Sequence, residues 1–176
     1  MSLIDEIKAR IRQQIGVKLF LLPTLLPGSR AKRELFVSNE VKECVAGKMN
    51  QRWEGYRCAQ LRARLDAFTL GYQFTIGQDP SNKSSDAMLA RTHPTKDRIW
   101  SIRSTEPKPG IRCFGAFGGK DLFIALTWEF REDINSARDW KYEIDRCKAS
   151  WSDIFGSTPR LHKGSLDEYI TGFRSV

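Results

Sequence analysis

The stretch IRCFGAFGGKDLFIALTWEFRE, residues 111–132, decides the fold. It raises one question first: whether FGGK cradles a phosphate or bends the chain between two strands. A nucleotide-binding loop needs four residues between its first glycine and the Gly-Lys pair, then a hydroxyl side chain to hold magnesium. Only three residues separate Gly115 from Gly119-Lys120, and Asp121 follows, a carboxylate that would repel phosphate. Apolar runs with strand patterning flank the glycines, and no helix opens after them, so the backbone donors of a helix N-terminus are missing. The segment therefore reads as a hairpin, with Gly118 and Gly119 expected to supply the positive φ angles of a tight turn.

Side chains alternate faces along a strand, so the length of the connection decides which residues sit together. With an even connection, Arg112 shares a face with Thr127, Glu129 and Arg131. The opposite face then carries Ile111, Cys113, Phe117, Leu122, Ile124, Leu126, Trp128 and Phe130, a core by composition. Upstream, RIWSIRS (98–104) alternates as well, and burying Trp100 and Ile102 leaves Ser101 and Arg103 on the other side. Arg103, Arg112 and Arg131 are expected to converge on one sheet face, beside Phe114, Phe123 and Glu129. Arginine keeps its charge and forks onto phosphate oxygens, and aromatic rings stack on unpaired bases. A carboxylate among such cations can move a proton during phosphodiester cleavage. The plain alternative is a solvated face held by Arg–Glu cross-strand pairs.

Working outward, LIDEIKARIRQQI (3–15) repeats its apolar residues at helical spacing, with Lys8, Arg10 and Arg12 on the polar side. It reads as a helix packed on the body, with a membrane-surface helix as the alternative. PTLLPGSRAKR (23–33) is a loop. Ser38 caps a long helical pattern through Val41, Val45, Met49, Trp53, Tyr56, Leu61, Leu65 and Phe68, which Gly47 and Gly55 can divide. YQFTI (72–76) is a short strand and GQDPSNKSS (77–85) a turn-rich loop. Trp140, Ile144, Cys147, Trp151 and Ile154 mark a helix closed by Gly156 and Pro159, and SLDE (165–168) predicts a short final helix to about Thr171.

The chain has 176 residues, with 29 Lys and Arg against 21 Asp and Glu, a net charge of +8. That balance favours anionic partners, nucleic acid before an acidic membrane surface. Four widely spaced cysteines and two histidines offer no zinc spacing, so buried free thiols, a reducing cytosol and a cytoplasmic location are expected, with no metal or other cofactor. The longest apolar run, Val17–Leu26, is interrupted by Lys18, Pro23 and Thr24 and is too short to span a bilayer. No secretory signal and no membrane partner are expected.

The stretch IWSIRSTEPKPGIRCFGAFGGKDLFIALTWEFRE, residues 99–132, resembles the core of RelE/HigB-type toxins of the RelE/ParE superfamily, from bacterial toxin–antitoxin systems. Trp100, Ile102 and Arg103 match that family's first motif strand, Gly110, Arg112 and Phe114 its second, and Leu122–Leu126 its third. The resemblance covers roughly residues 56–155 and is specific over 98–131. It implies an α+β fold with N-terminal helices, a small antiparallel sheet and a C-terminal helix. It divides the chain into a helical extension (1–55) and a RelE-like domain (56–176). It implies a metal-free endoribonuclease acting on ribosome-bound mRNA and neutralised by an antitoxin protein. Arg112 matches the family's arginine at the scissile phosphate, Arg131 approximates the basic position after the third strand, and Arg103 an accompanying cation. The strand ends TWEFRED where the family carries a basic run, and the family's C-terminal Tyr or His has only Tyr142, His162 and Tyr169 as candidates.

Three readings follow. One is the toxin, with Arg112, Arg131 and Glu129 catalytic and Arg103, Phe114 and Phe123 binding RNA. Another is a non-catalytic RelE/ParE-fold module that contacts nucleic acid, gyrase or a partner protein. The third is a phage or plasmid accessory protein whose N-terminal helices drive oligomerisation.

Overall fold

A computed structural model describes residues 1–47, 52–81 and 87–175. Among the described residues, eight strands form one mixed sheet with helices on both faces. The chain runs α1 (Leu3–Gln14), β1 (Leu19–Leu21), β2 (Glu34–Ser38), α2 (Asn39–Val45), α3 (Arg52–Thr69), β3 (Phe74–Gly77), β4 (Leu89–Arg91), β5 (Trp100–Ser104), β6 (Ile111–Gly119), β7 (Leu122–Phe130), α4 (Ala137–Phe155) and β8 (Phe173–Ser175). The sheet order is β1-β2-β7-β6-β5-β4-β3-β8. The segment 1–55 contributes β1 and β2 to this sheet; β2 pairs parallel with β7, and β1 closes that edge antiparallel to β2.

The α+β class stands, but the expected small antiparallel sheet does not. The sheet has eight strands, with parallel pairing at β2–β7, β3–β4 and β3–β8, and β8 follows α4, so that helix does not end the fold. The added strands are short. β1, β4 and β8 have three residues each, too few to show alternation in sequence, and distant pairing alone makes them strands.

Local signals place the helices. Ser2 and Ser136 cap α1 and α4 through reciprocal bonds with Asp5 and Asp139, and Ser38 Oγ accepts from Val41 N at 3.2 Å. Gly47 follows α2, whereas Gly55 sits within α3. α3 buries Cys58, Leu61, Leu65 and Phe68 at spacings of three and four. Met49 and positions 82–85 of the turn-rich loop lie outside the described residues, as do the side chains of Arg52 and Trp53. SLDE forms its capping box, but around a single 3-10 turn, Leu166–Glu168, instead of the expected helix to about Thr171, and β8 follows it.

Two cores result. One lies under α2 and α3, with Leu61, Leu65, Phe68, Trp100, Ile102, Phe117 and Phe123. The other lies under α1 and α4, with Ile7, Ile11, Phe114, Ile124, Leu126, Ile144 and Trp151. A sheet covered on both faces buries every residue of β6, which explains the near-continuous apolar run at 111–117.

The hairpin is real, but its turn is Lys120–Asp121, with Asp121 at φ 57; Gly118 and Gly119 belong to β6 and neither has a positive φ. The β6–β7 register also slips. Phe114 faces Thr127 and Gly115 faces Ala125, so Leu126 is an extra residue, a β-bulge. One extra residue reverses the alternation beyond it. Trp128 and Phe130 therefore pack on the α3 side, while Leu122, Ile124 and Leu126 join the α4 side, and Phe123 leaves the arginine face for the opposite core.

Candidate functional site

Arg112 lies near the start of β6, at the centre of the sheet. Its register partners are Arg103 on β5 and Glu129 on β7, so all three share one row across three strands. Arg131 begins the turn after β7, and its backbone N–H still donates to Gly110 O at 2.8 Å, which keeps it beside the same row. Its guanidinium lies 5.9 Å from the Trp140 ring and donates to Ile134 O. The three arginines expected to converge do so, and each of Arg103 and Arg112 feels its neighbours' charge.

Their face is not open as expected. α4 crosses it, and Arg112 is only 7% exposed. Burial, then the charges of Arg103 and Arg131, pull the Arg112 guanidinium down to about 10. Arg103 is lowered in the same way, by burial first and Arg131 second.

Arg112 differs from the buried Arg57 and Arg33 in its partners, and Arg62, with one carbonyl bond to Pro23 O, is closer to it. Arg57 forks onto Glu132 at 2.7 and 2.6 Å and reaches Gly110 O at 3.1 Å. Arg33 donates to Phe68 O, Tyr72 O and Thr171 O and stands 3.5 Å from Asp121. Among the described residues Arg112 has no ion pair; its one hydrogen bond goes to Ile111 O at 3.3 Å, and its Nε has no partner. The carboxylate across from it, Glu129, accepts instead from Phe130 N at 2.9 Å. A buried cation without a counter-charge is costly to a fold, so the arrangement suits an anion supplied from outside.

Beside this row opens a cleft of about 420 Å³ lined by Glu129, Asp133, Arg138, Asp139, Tyr142 and Glu143. Glu143 is 4% exposed and lies 3.2 Å from Arg146, which also pairs with Glu40 at 2.9 Å. Burial raises the Glu143 carboxyl above the usual range, Arg146 opposes that, and Glu129 and Glu40 add to it. Glu40 is raised for the same leading reason.

Phe114 and Phe123 are both fully buried, on opposite faces, so neither ring is placed to stack on a base. Phe114 meets Trp140 edge to face at 5.9 Å, and Phe123 packs on Phe68 and Phe117. Of the candidate hydroxyl and imidazole groups, Tyr169 is in the core, and Tyr142, 64% exposed, lines the cleft with Glu129. Sequence reasoning misses Glu143. Its one signal is a carboxylate inside the buried stripe of α4, between Trp140 and Ile144. The four cysteines are buried and free, and no group of three or more metal-binding side chains occurs among the described residues.

Comparison with family models, with curated proteins and with solved structures returned no match.

Proposed function

We propose that the chain binds the phosphodiester backbone of RNA at Arg103, Arg112 and Arg131 and cleaves it, acting as a RelE/HigB-type toxin held in check by an antitoxin protein. The observation that carries this reading is Arg112: nine-tenths buried, flanked by two cations, and without a carboxylate partner among the described residues. Arg57 and Arg33, which are as deeply buried, have such a partner or several carbonyls.

The chemistry assigned uses side chains alone. The ribose 2′-hydroxyl attacks phosphorus, forming a P–O2′ bond as the P–O5′ bond breaks. Glu129 takes the 2′-hydroxyl proton, and the Tyr142 hydroxyl at the cleft donates to the departing O5′. The guanidinium groups stabilise the charge gathering on the non-bridging oxygens. A second reading, binding without cleavage, draws on the acids around Arg131: Asp133, Asp139 and Glu143 line the neighbouring cleft and would oppose a phosphate there.

Expression from a tight promoter, with growth and RNA integrity as readouts, tests both. Wild type is expected to arrest growth and cut RNA in a translating extract, and Arg112→Ala and Glu129→Gln to lose about 10²-fold or more. A harmless wild type that leaves RNA intact removes the enzyme reading. RNA binding with a steep salt dependence but no cleavage selects the second one.

A further inference from the structure

The net positive charge is concentrated in one segment. Residues 7–33 hold seven basic residues (Lys8, Arg10, Arg12, Lys18, Arg30, Lys32 and Arg33) and no acidic one, so +7 of the chain's +8 lies there. Lys8, Arg10, Arg12, Arg30 and Lys32 are exposed, and none makes an ion pair among the described residues.

The exposed aliphatic side chains fall in the same segment. Apart from Met1, every exposed large aliphatic among the described residues lies between 15 and 26: Ile15 at 48%, Val17 at 68%, Leu21 at 55%, Leu25 at 54% and Leu26 at 55%. They follow the open edge of the sheet. β1 is the terminal strand, Leu19 points into the core, and Leu21, two residues on, is exposed. The loop beyond is anchored to α3: Leu25 N donates to Asp66 at 2.7 Å, Arg62 to Pro23 O, and Lys32 N to Thr69 O. Its backbone is held in place while the leucines project, so the exposure is built in.

We infer that this edge docks on an anionic lipid surface. The aliphatic side chains enter the headgroup–acyl boundary, and the exposed basic residues of the same segment, Lys8, Arg10, Arg12, Arg30 and Lys32, meet acidic headgroups. Charge complementarity selects the occupant, since a segment without a single carboxylate needs an anionic partner, and aliphatic tips gain nothing against a polynucleotide. Stable surface binding takes two signals, apolar insertion and basic charge, and both are present. No helix among the described residues is long and apolar enough to cross a membrane, so the contact is peripheral. The expectation of no membrane partner rested on the lack of a spanning run, which does not bear on surface docking.

The test pellets the full chain with vesicles of phosphatidylglycerol and phosphatidylcholine, or of phosphatidylcholine alone. Binding is expected only to the anionic vesicles and falls steeply with salt. Val17→Ser/Leu25→Ser/Leu26→Ser, which keeps every charge, and Lys8→Glu/Arg10→Glu/Arg12→Glu, on the exposed side of α1, each lower it by about tenfold or more. Arg112→Ala binds vesicles as wild type does, which separates this inference from the RNA reading. Failure to pellet with anionic vesicles overturns it, as does full binding by the triple-serine variant. A dimer in solution that the triple-serine substitution dissolves, without vesicle binding, gives the edge to a second copy of the chain instead.

Discussion

Arg103 on β5 stands directly opposite Arg112 on β6, two cations in register on one face of the sheet. Like charges in that position repel, and here the pair lies largely out of water with Arg131 adding a third charge. A fold selected for stability alone would place a carboxylate or an apolar side chain at one of these positions.

Arg112→Met is therefore expected to stabilise the protein by about 1–3 kcal/mol at neutral pH and, on the proposed function, to abolish RNA cleavage. The sign with pH is specific. The folded guanidinium is pulled down to about 10, below its unfolded value, so its cost is full at neutral pH and fades as pH rises beyond 10. Denaturant titrations of both proteins at pH 7 and above pH 10 check this. A destabilised methionine variant at neutral pH would mean that Arg112 is structural.

Glu143 carries the opposite charge and its own pH signature. Its folded carboxyl is raised, so it binds a proton at pH values where the unfolded chain, near 4.5, has released it. Its ionised form costs stability at neutral pH and costs nothing below 4.5. Glu143→Gln is expected to be more stable than wild type at neutral pH, with the difference closing as pH falls toward 4.5. Thermal melts across that range measure it, and a gap that widens in acid contradicts the assignment.

Arg57 provides the contrast of a cation that the fold does satisfy. It is 4% exposed, forks onto Glu132 and lies 3.9 Å from the Phe130 ring. Glu132→Ala leaves that charge buried and unpaired and should cost about 2–3 kcal/mol. Replacing both, as Arg57→Leu/Glu132→Ala, should recover part of the loss in chemical denaturation. A double variant less stable than the single one refutes the stranded-charge explanation.

The glycines of β6 can be told apart by one methyl group. A Cβ at Gly115 would lie 2.1 Å from Ile124 O, at the bulge, whereas at Gly119 the nearest atom is 3.6 Å away. Gly115→Ala is expected to cost about 3 kcal/mol or more and Gly119→Ala about 1 kcal/mol or less. Equal effects would show that the bulge is not where the register places it.

Much of the fold was legible because its signals are local. Ser2, Ser38 and Ser136 announce helix starts through bonds to residues three positions away. Alternation placed Trp100 and Ile102 inside and brought Arg103, Arg112 and Glu129 into one row. Across Leu126 that reasoning failed, since a bulge leaves no mark in composition yet moves the side chains beyond it to the other face. It cost Phe123 its place beside the arginines, and burial under α4 removed Phe114 from solvent. The edge strands were illegible for a related reason: three residues cannot display a period of two.

What the amino-acid order determined by itself was the placing of α1 and α4, the central hairpin, the basic N-terminal segment and the meeting of three guanidinium groups. Only the tertiary structure decided that the arginine face lies beneath a helix, that Arg112 is left without a counter-ion among the described residues, and that Tyr142 and Glu143 join Glu129 at a cleft. Caps and alternation act over a few residues; burial and pairing depend on which distant elements pack together.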